Sequence, residues 1–238
     1  MKVVAPMAGI TNANFLIKAI PYGFNMLTLG GYNLDEATYN AAIEVSKRRK
    51  EFLFPLNKVF DEIYTEVFKI KSFKKDILVS ANLRSTSPKA IVKISKIPQL
   101  DVVEINCHCR QEEFLDIGCG QNMLKRPDLA DFIEYVVKKS KSKVSVKLRA
   151  NVPGIDTLEI CKEISSLGVD YLHIDAMKVG VLDADYELLS KIVSSVDTFV
   201  IGNNSINSSN QLSKMLETGV QGFSIGRALL PSGLDFKI

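Results

Sequence analysis

The strongest constraint in this sequence is an alternation of two periodicities. Eight short apolar runs with β-branched residues, at 3–6, 24–29, 77–83, 101–106, 144–148, 170–175, 198–202 and 221–225, read as strands. Between them lie segments with helical spacing: 12–20, two helices within 35–71 broken near Phe54-Pro55, 88–97, one beginning near Pro127-Asp128, 157–167, 188–193 and 208–217. Val59, Ile63, Val67 and Ile70 form one apolar stripe in the longest of these excursions. Gly168 and Gly219 stand where a helix C-terminus needs a residue that accepts a left-handed conformation. Eight strands alternating with helices within one domain's length predict a (β/α)8 barrel, because an open doubly wound sheet rarely uses eight units so evenly. After Gly226 only a dozen residues remain, Pro231 and Gly233 among them, so the last helix is expected to be short or missing. No linker or low-complexity tract divides the chain, and residues 1–238 are read as a single domain.

Composition narrows the class. A hydrophobic share of 46% with 24% charged residues suits a globular protein, and no apolar run is long enough for a membrane span. The first residues, Met1 to Pro6, lack the apolar core of a signal peptide, so a cytoplasmic location is expected. A net charge of +3 is too small to announce a nucleic-acid binder. Three of the four cysteines, Cys107, Cys109 and Cys119, crowd into one stretch, which in a reducing compartment points to catalysis or metal rather than a disulfide framework. The C-x-C spacing, with the third cysteine far off, fits no common metal site, and no metal is expected.

A barrel keeps its chemistry at the C-terminal ends of its strands. Strand one delivers Pro6, Met7 and Ala8 there, strand three Asn82, strand four Asn106 and Cys109, strand five Lys147 and Arg149, and strand six His173 and Asp175. Strand seven brings Gly202, Asn203 and Asn204, and strand eight Gly226 and Arg227. The last two exits read as a phosphate site, in which glycine lets backbone approach the anion and Arg227 forks onto its oxygens. Lys147 lies in an otherwise apolar strand and needs a ligand or carboxylate to meet it. His173 is read as a hydrogen-bonded core residue, and Cys107 as structural.

Six stretches then carry a family resemblance: Ala5 to Thr11, Glu104 to Cys109, Gly118 through Leu124, Val146 to Arg149, Val200 to Asn203, and Gly219 through Arg227. Across the whole chain they resemble the successive motifs of the tRNA-dihydrouridine synthases, more distantly related to dihydroorotate dehydrogenases. The resemblance implies an FMN-dependent barrel that reduces the C5–C6 double bond of uridine in tRNA, with NAD(P)H as electron donor. Carried over, Pro6, Met7 and Ala8 would lie against the isoalloxazine ring, Asn82 would replace the family's Gln, and Lys147 would contact the flavin's N1–C2 edge. Asn203, Asn204, Gly226 and Arg227 would hold the phosphate, and Cys109 falls at the catalytic cysteine. Asn106 and Arg149 are expected to meet the substrate.

The sequence also departs from the family. Asn106-Cys107-His108-Cys109-Arg110 replaces Asn-x-Gly-Cys-Pro, and Asp175 stands at a flavin-contacting His, Met177 at an Arg and Asn204 at a Gly. A carboxylate at Asp175 would repel a phosphate, so it turns away or serves another role. The barrel is expected without the family's C-terminal helical domain, which leaves Arg84, Arg110, Lys125, Arg126 and Lys178, on loops around the mouth, as the phosphate contacts for a tRNA. The alternatives are a free pyrimidine-like substrate, as in dihydroorotate dehydrogenase, or a non-catalytic barrel that binds a phosphorylated ligand.

Overall fold

The computed structural model describes residues 1–230 and 233–238. Eight parallel strands close into a barrel in sequence order: β1 (Lys2–Val4), β2 (Met26–Asn33), β3 (Leu78–Arg84), β4 (Val102–Cys107), β5 (Lys143–Arg149), β6 (Tyr171–Asp175), β7 (Phe199–Asn203) and β8 (Gly222–Ile225). The helices are α1 (Ala13–Ala19), α2 (Glu36–Ser46), α3 (Val59–Phe73), α4 (Pro88–Ile94), α5 (Glu112–Leu115), α6 (Leu129–Lys139), α7 (Thr157–Ser166), α8 (Tyr186–Val193) and α9 (Ser209–Glu217). The expected barrel is therefore present. The stripe Val59, Ile63, Val67 and Ile70 is buried along α3, and Asn12, Asp35, Asp156 and Ser208 each cap a helix by accepting a backbone N–H.

Three sequence expectations need correction. Strand two does not close at Gly30-Gly31 but runs to Asn33, with a register shift between Gly30 and Tyr32. Strand three extends one residue past Leu83, to Arg84. The stretch between Cys109 and Pro127, read as loop, contains α5 and a 3-10 turn over Gly120–Lys125. Among the described residues after β8, a 3-10 turn, Arg227–Leu229, stands in place of a helix; Pro231 lies outside the described residues. No helix among the described residues is long and apolar enough to cross a membrane.

Side chains alternate across each strand, and this parity builds the interior. Outward residues such as Val103, Ile105 and Cys107 of β4 join the core beneath the helices. Inward residues stack in layers. Val3, Met26, Val102, Tyr171 and Ile201, none more than 5% exposed, close the N-terminal end with apolar packing. Above them lie Thr28, Ser80, Glu104, Ser145, His173 and Ser224, all fully buried. Asn82, Asn106, Lys147, Arg149, Asp175 and Asn203, next along the same parity, reach the open end.

Candidate active site

The middle layer carries charge into the fully buried interior of the barrel. Glu104 accepts from Asn82 Nδ2 at 2.8 Å, Ser145 Oγ at 3.0 Å and His173 Nδ1 at 2.8 Å. Because Nδ1 faces a carboxylate it carries the proton, and Nε2 is left to accept from Lys147 Nζ at 2.8 Å; Ser224 Oγ lies 2.6 Å from the same nitrogen. Burial and the Lys147 charge push His173 down to about 4, so the ring is neutral. Burial alone would raise Glu104, yet His173, Lys147 and Asn82 bring it to about 2. Lys147 is 3% exposed, and burial lowers its pKa against the pull of Glu104 and Asp175. It spends one N–H on His173 and lines the cavity above.

Hydrogen bonds continue from this layer to the loop after β4. Asn82 Oδ1 accepts from Asn106 Nδ2 at 2.8 Å, and Asn106 Oδ1 accepts the backbone N–H groups of His108 and Cys109 at 3.1 and 3.0 Å. Asn106 Nδ2 also lies 3.2 Å from Cys109 Sγ. The other side of the loop is fixed by Gly120, whose φ of +60° and missing Cβ allow it against the Cys109 carbonyl, where a Cβ would come within 2.2 Å of the oxygen. Burial would raise the Cys109 thiol, but Arg84, His108 and Asn106 lower it to about 6. Cys107, on the outward parity, is fully buried and its thiol is pushed far up; Cys119 is buried and pushed up to about 12.

Asp175 is the hub of the opposite wall. Its Oδ2 accepts from His108 Nε2 at 2.5 Å and Arg149 Nη1 at 3.3 Å, and its Oδ1 accepts from Asn204 Nδ2 at 2.5 Å. Burial opposes its charge, but His108, Lys147 and Asn204 hold it well below the usual carboxylate range. Its charge is therefore spent inside the protein. Beyond it, Asn204 and Ser205 have φ values of +115° and +53°. Among the described residues, Ser205, Gly226 and Arg227 donate none of the backbone hydrogen bonds formed outside helices and strands. These three and Asn204 line one cavity of about 760 Å³ with Pro6, Met7, Ala8, Asn82, Cys109 and Lys147.

The family model described as dihydrouridine synthase (Dus) matches residues 60–232. The chain belongs to the dihydrouridine synthase family. An uncharacterized protein of Methanocaldococcus jannaschii is 34% identical over 98% of this chain and 91% of its own length. A tRNA-dihydrouridine(20a/20b) synthase-like protein of Mus musculus is 24% identical over 58% of this chain, and the match spans only 45% of that protein. FabK from Thermotoga maritima superposes with a TM-score of 0.60 at 14% identity, covering 96% of this chain and 58% of that one, a likeness of fold.

In this dihydrouridine synthase-family barrel the sequence candidates divide into two groups. Pro6, Met7, Ala8, Asn82, Asn106, Cys109, Lys147, Arg149, Asn203, Asn204, Gly226 and Arg227 share the cavity lining. Asn203 turns its amide to the Ser224 carbonyl at 2.9 Å, which ties β7 to β8. Lys125 and Arg126 do not line it: Lys125 is exposed on the 3-10 turn, and Arg126 is held by Asp128 at 2.8 and 2.6 Å. Two expectations fail on geometry. Gly202 does not face a phosphate; it points outward, where a Cβ would meet Met215 Sδ at 2.4 Å. Arg84 is no loop residue: it ends β3, its side chain is 1% exposed and paired with buried Glu51 at 2.7 Å, and it meets the cavity from within the barrel. Glu104 and His108 belong to the site without having been singled out for it. A carboxylate on the parity of Asn106, in an apolar strand, was the signal for Glu104.

Proposed function

We propose that this chain is a flavin-dependent reductase of the uracil C5–C6 double bond in tRNA, with Cys109 as proton donor. The observation that carries this reading is Cys109 on the wall of the same cavity as Lys147, a thiol poised to ionise beside a buried ammonium with unspent donors. The residues fit FMN. The N–H groups of Ser205, Gly226 and Arg227 suit a phosphate, as does the Arg227 guanidinium, and the cavity is within the range of cofactor sites, about 300–1,000 Å³. Asp175 does not oppose that anion because His108, Arg149 and Asn204 already share its charge. FMN, once reduced, supplies hydride.

The chain's own residues would do the rest. Lys147 would offer its remaining N–H groups to the electron-rich edge of the cofactor, held in place by the neutral His173 and by Glu104 behind it. Pro6, Met7 and Ala8 would form the apolar floor beneath the ring. Cys109 Sγ would give its proton to the substrate carbon opposite the one that receives hydride, while Asn106 keeps the thiol in place. Arg49, Arg110, Arg149 and Arg227 line the cavity and would draw the phosphates of an RNA whose uridine leaves its stack. NAD(P)H is the proposed electron donor.

The test begins with purified protein. Yellow colour or uptake of FMN is expected, and Arg227→Ala should weaken uptake. Dihydrouridine content is then measured in total tRNA from cells lacking the gene, with no second synthase acting on the same site. Loss of dihydrouridine is expected. Unchanged content, together with no tRNA binding at low salt, would move the assignment to a free pyrimidine-like substrate; protein that stays colourless with added FMN would end the flavin reading.

A further inference from the structure

We propose that His108 and Asp175 form a proton relay that recharges Cys109 in each turnover, an inference that rests on the reaction proposed above. The relay starts from a fixed carboxylate. Asp175 is held by Arg149 at 3.3 Å and Asn204 at 2.5 Å, and presents Oδ2 to His108 Nε2 at 2.5 Å. With Nε2–H committed to Asp175, Nδ1 is the ring nitrogen left for a neighbour, and Cys109, the next residue, shares the cavity wall with the ring. Asn106 Oδ1 ties the amides of both residues, so ring and thiol keep one geometry. The His108 side chain is 28% exposed and so reaches solvent.

Other charged groups face Cys109 without being able to serve. Arg84, from the end of β3, is buried against Glu51 and does not release a proton. Lys147, from β5, is fixed to His173 deep in the barrel. Cys119, beyond α5, is a buried neutral thiol with its pKa near 12. Arg110, exposed in the same loop, stays charged. His108 alone among these groups stands next to the thiol in the chain, meets solvent and is of the residue type that exchanges protons between pH 5 and 8. Burial would lower its pKa, but Asp175 and Cys109 raise it above the ordinary value, while Cys109 is drawn down to about 6. In the relay the pair rests as thiolate and imidazolium, with its one proton on the ring.

The steps balance. His108 Nδ1–H passes its proton to Sγ, the S–H bond breaks as that proton moves to the substrate carbon made electron-rich by hydride from a reduced flavin, and the bonding pair stays on sulfur. The ring then takes a proton from solvent, and Asp175 remains a carboxylate throughout. Each turnover consumes one hydride and one proton from water.

Two measurements on the purified full-length chain test this. The first needs no substrate: alkylation of Cys109 by iodoacetamide is followed against pH, with the site read by mass spectrometry. The midpoint should lie near 6 in the wild type and rise by about one pH unit or more in His108→Gln. The second follows dihydrouridine formation in an unmodified tRNA transcript with FMN and NADPH, as kcat/KM against pH. Activity should fall as pH passes the raised pKa of His108; this limb should move down in Asp175→Asn, which removes the support for imidazolium, and in His108→Gln it should move to the alkylation midpoint of the thiol, which then titrates alone. His108→Gln should also lose roughly tenfold or more of the plateau, recovered in part by added imidazole. Circular dichroism and FMN uptake check that both variants are folded. An unchanged alkylation midpoint in His108→Gln overturns the relay whatever the substrate is. A plateau lost without a shift of either limb, and without imidazole rescue, overturns it in favour of a structural role. A midpoint shifted in His108→Gln, together with a wild type that makes no dihydrouridine, overturns the proposed reaction and the turnover half of the relay, and leaves the thiolate–imidazolium pair standing.

Discussion

Arg84 has two obligations at once. Its Nη1 bonds to Glu51 Oε2 at 2.7 Å and Asn33 Oδ1 at 3.2 Å, its guanidinium lies 4.2 Å over the Phe114 ring, and its charge lowers the Cys109 thiol. Arg84→Met should therefore raise the pH at which Cys109 is alkylated and, by leaving Glu51 with only the longer contact to Arg49, cost about 3–5 kcal/mol in urea unfolding. A thiol midpoint that stays near 6 in a folded variant would show that Asn106 and His108 suffice. This residue also shows where sequence reading stops. With β3 ended at Leu83, Arg84 falls on an open loop; with one residue more, the parity of Leu78, Ser80 and Asn82 carries it into the barrel. Lys147 was legible because a lysine inside an apolar strand needs a partner, although the neutral imidazole it found required the register of β5 against β6.

At the scale of elements, β7 and α9 are fitted to each other through an absence. Gly202 faces the fully buried Met215, and a methyl group there would stand 2.4 Å from the sulfur. Gly202→Ala should destabilise by about 1–3 kcal/mol through overpacking. In Met215→Ala, where the obstacle is gone, the same change should cost measurably less, so urea unfolding of the four proteins should show non-additivity. The sequence places glycine at this strand end, but whether it serves a ligand or a helix depends on strand parity, and one residue of uncertainty reverses the answer. The helices themselves were legible from their spacing and caps. The segment from Glu112 to Lys125 was not, since α5 is one turn long and its only buried residue is Phe114, which takes its place from α2 and the Arg84 guanidinium.

For the molecule as a whole, the buried polar layer ties stability to pH. Glu104 falls from an ordinary 4.5 to about 2 on folding, and His173 from 6.5 to about 4. Both are depressed, so the unfolded chain binds more protons, and stability is lost as pH drops from 6.5 towards 2. Glu104→Gln should be less stable at pH 7 and lose the part of this slope between 4.5 and 2, as read from urea midpoints at several pH values. The alternation of eight strands made the barrel legible, whereas this layer was not, because serine, threonine, glutamate and histidine meet only after the strands are set in register. The apolar floor of Val3, Met26, Val102, Tyr171 and Ile201 has a kinetic meaning. With that end of the barrel sealed, the electron donor and the RNA acceptor of the proposed reaction would have to use the same doorway, and one would have to leave before the other could enter. Initial rates measured against donor at several fixed acceptor concentrations should give parallel double-reciprocal lines; intersecting lines would mean that both can occupy the mouth together.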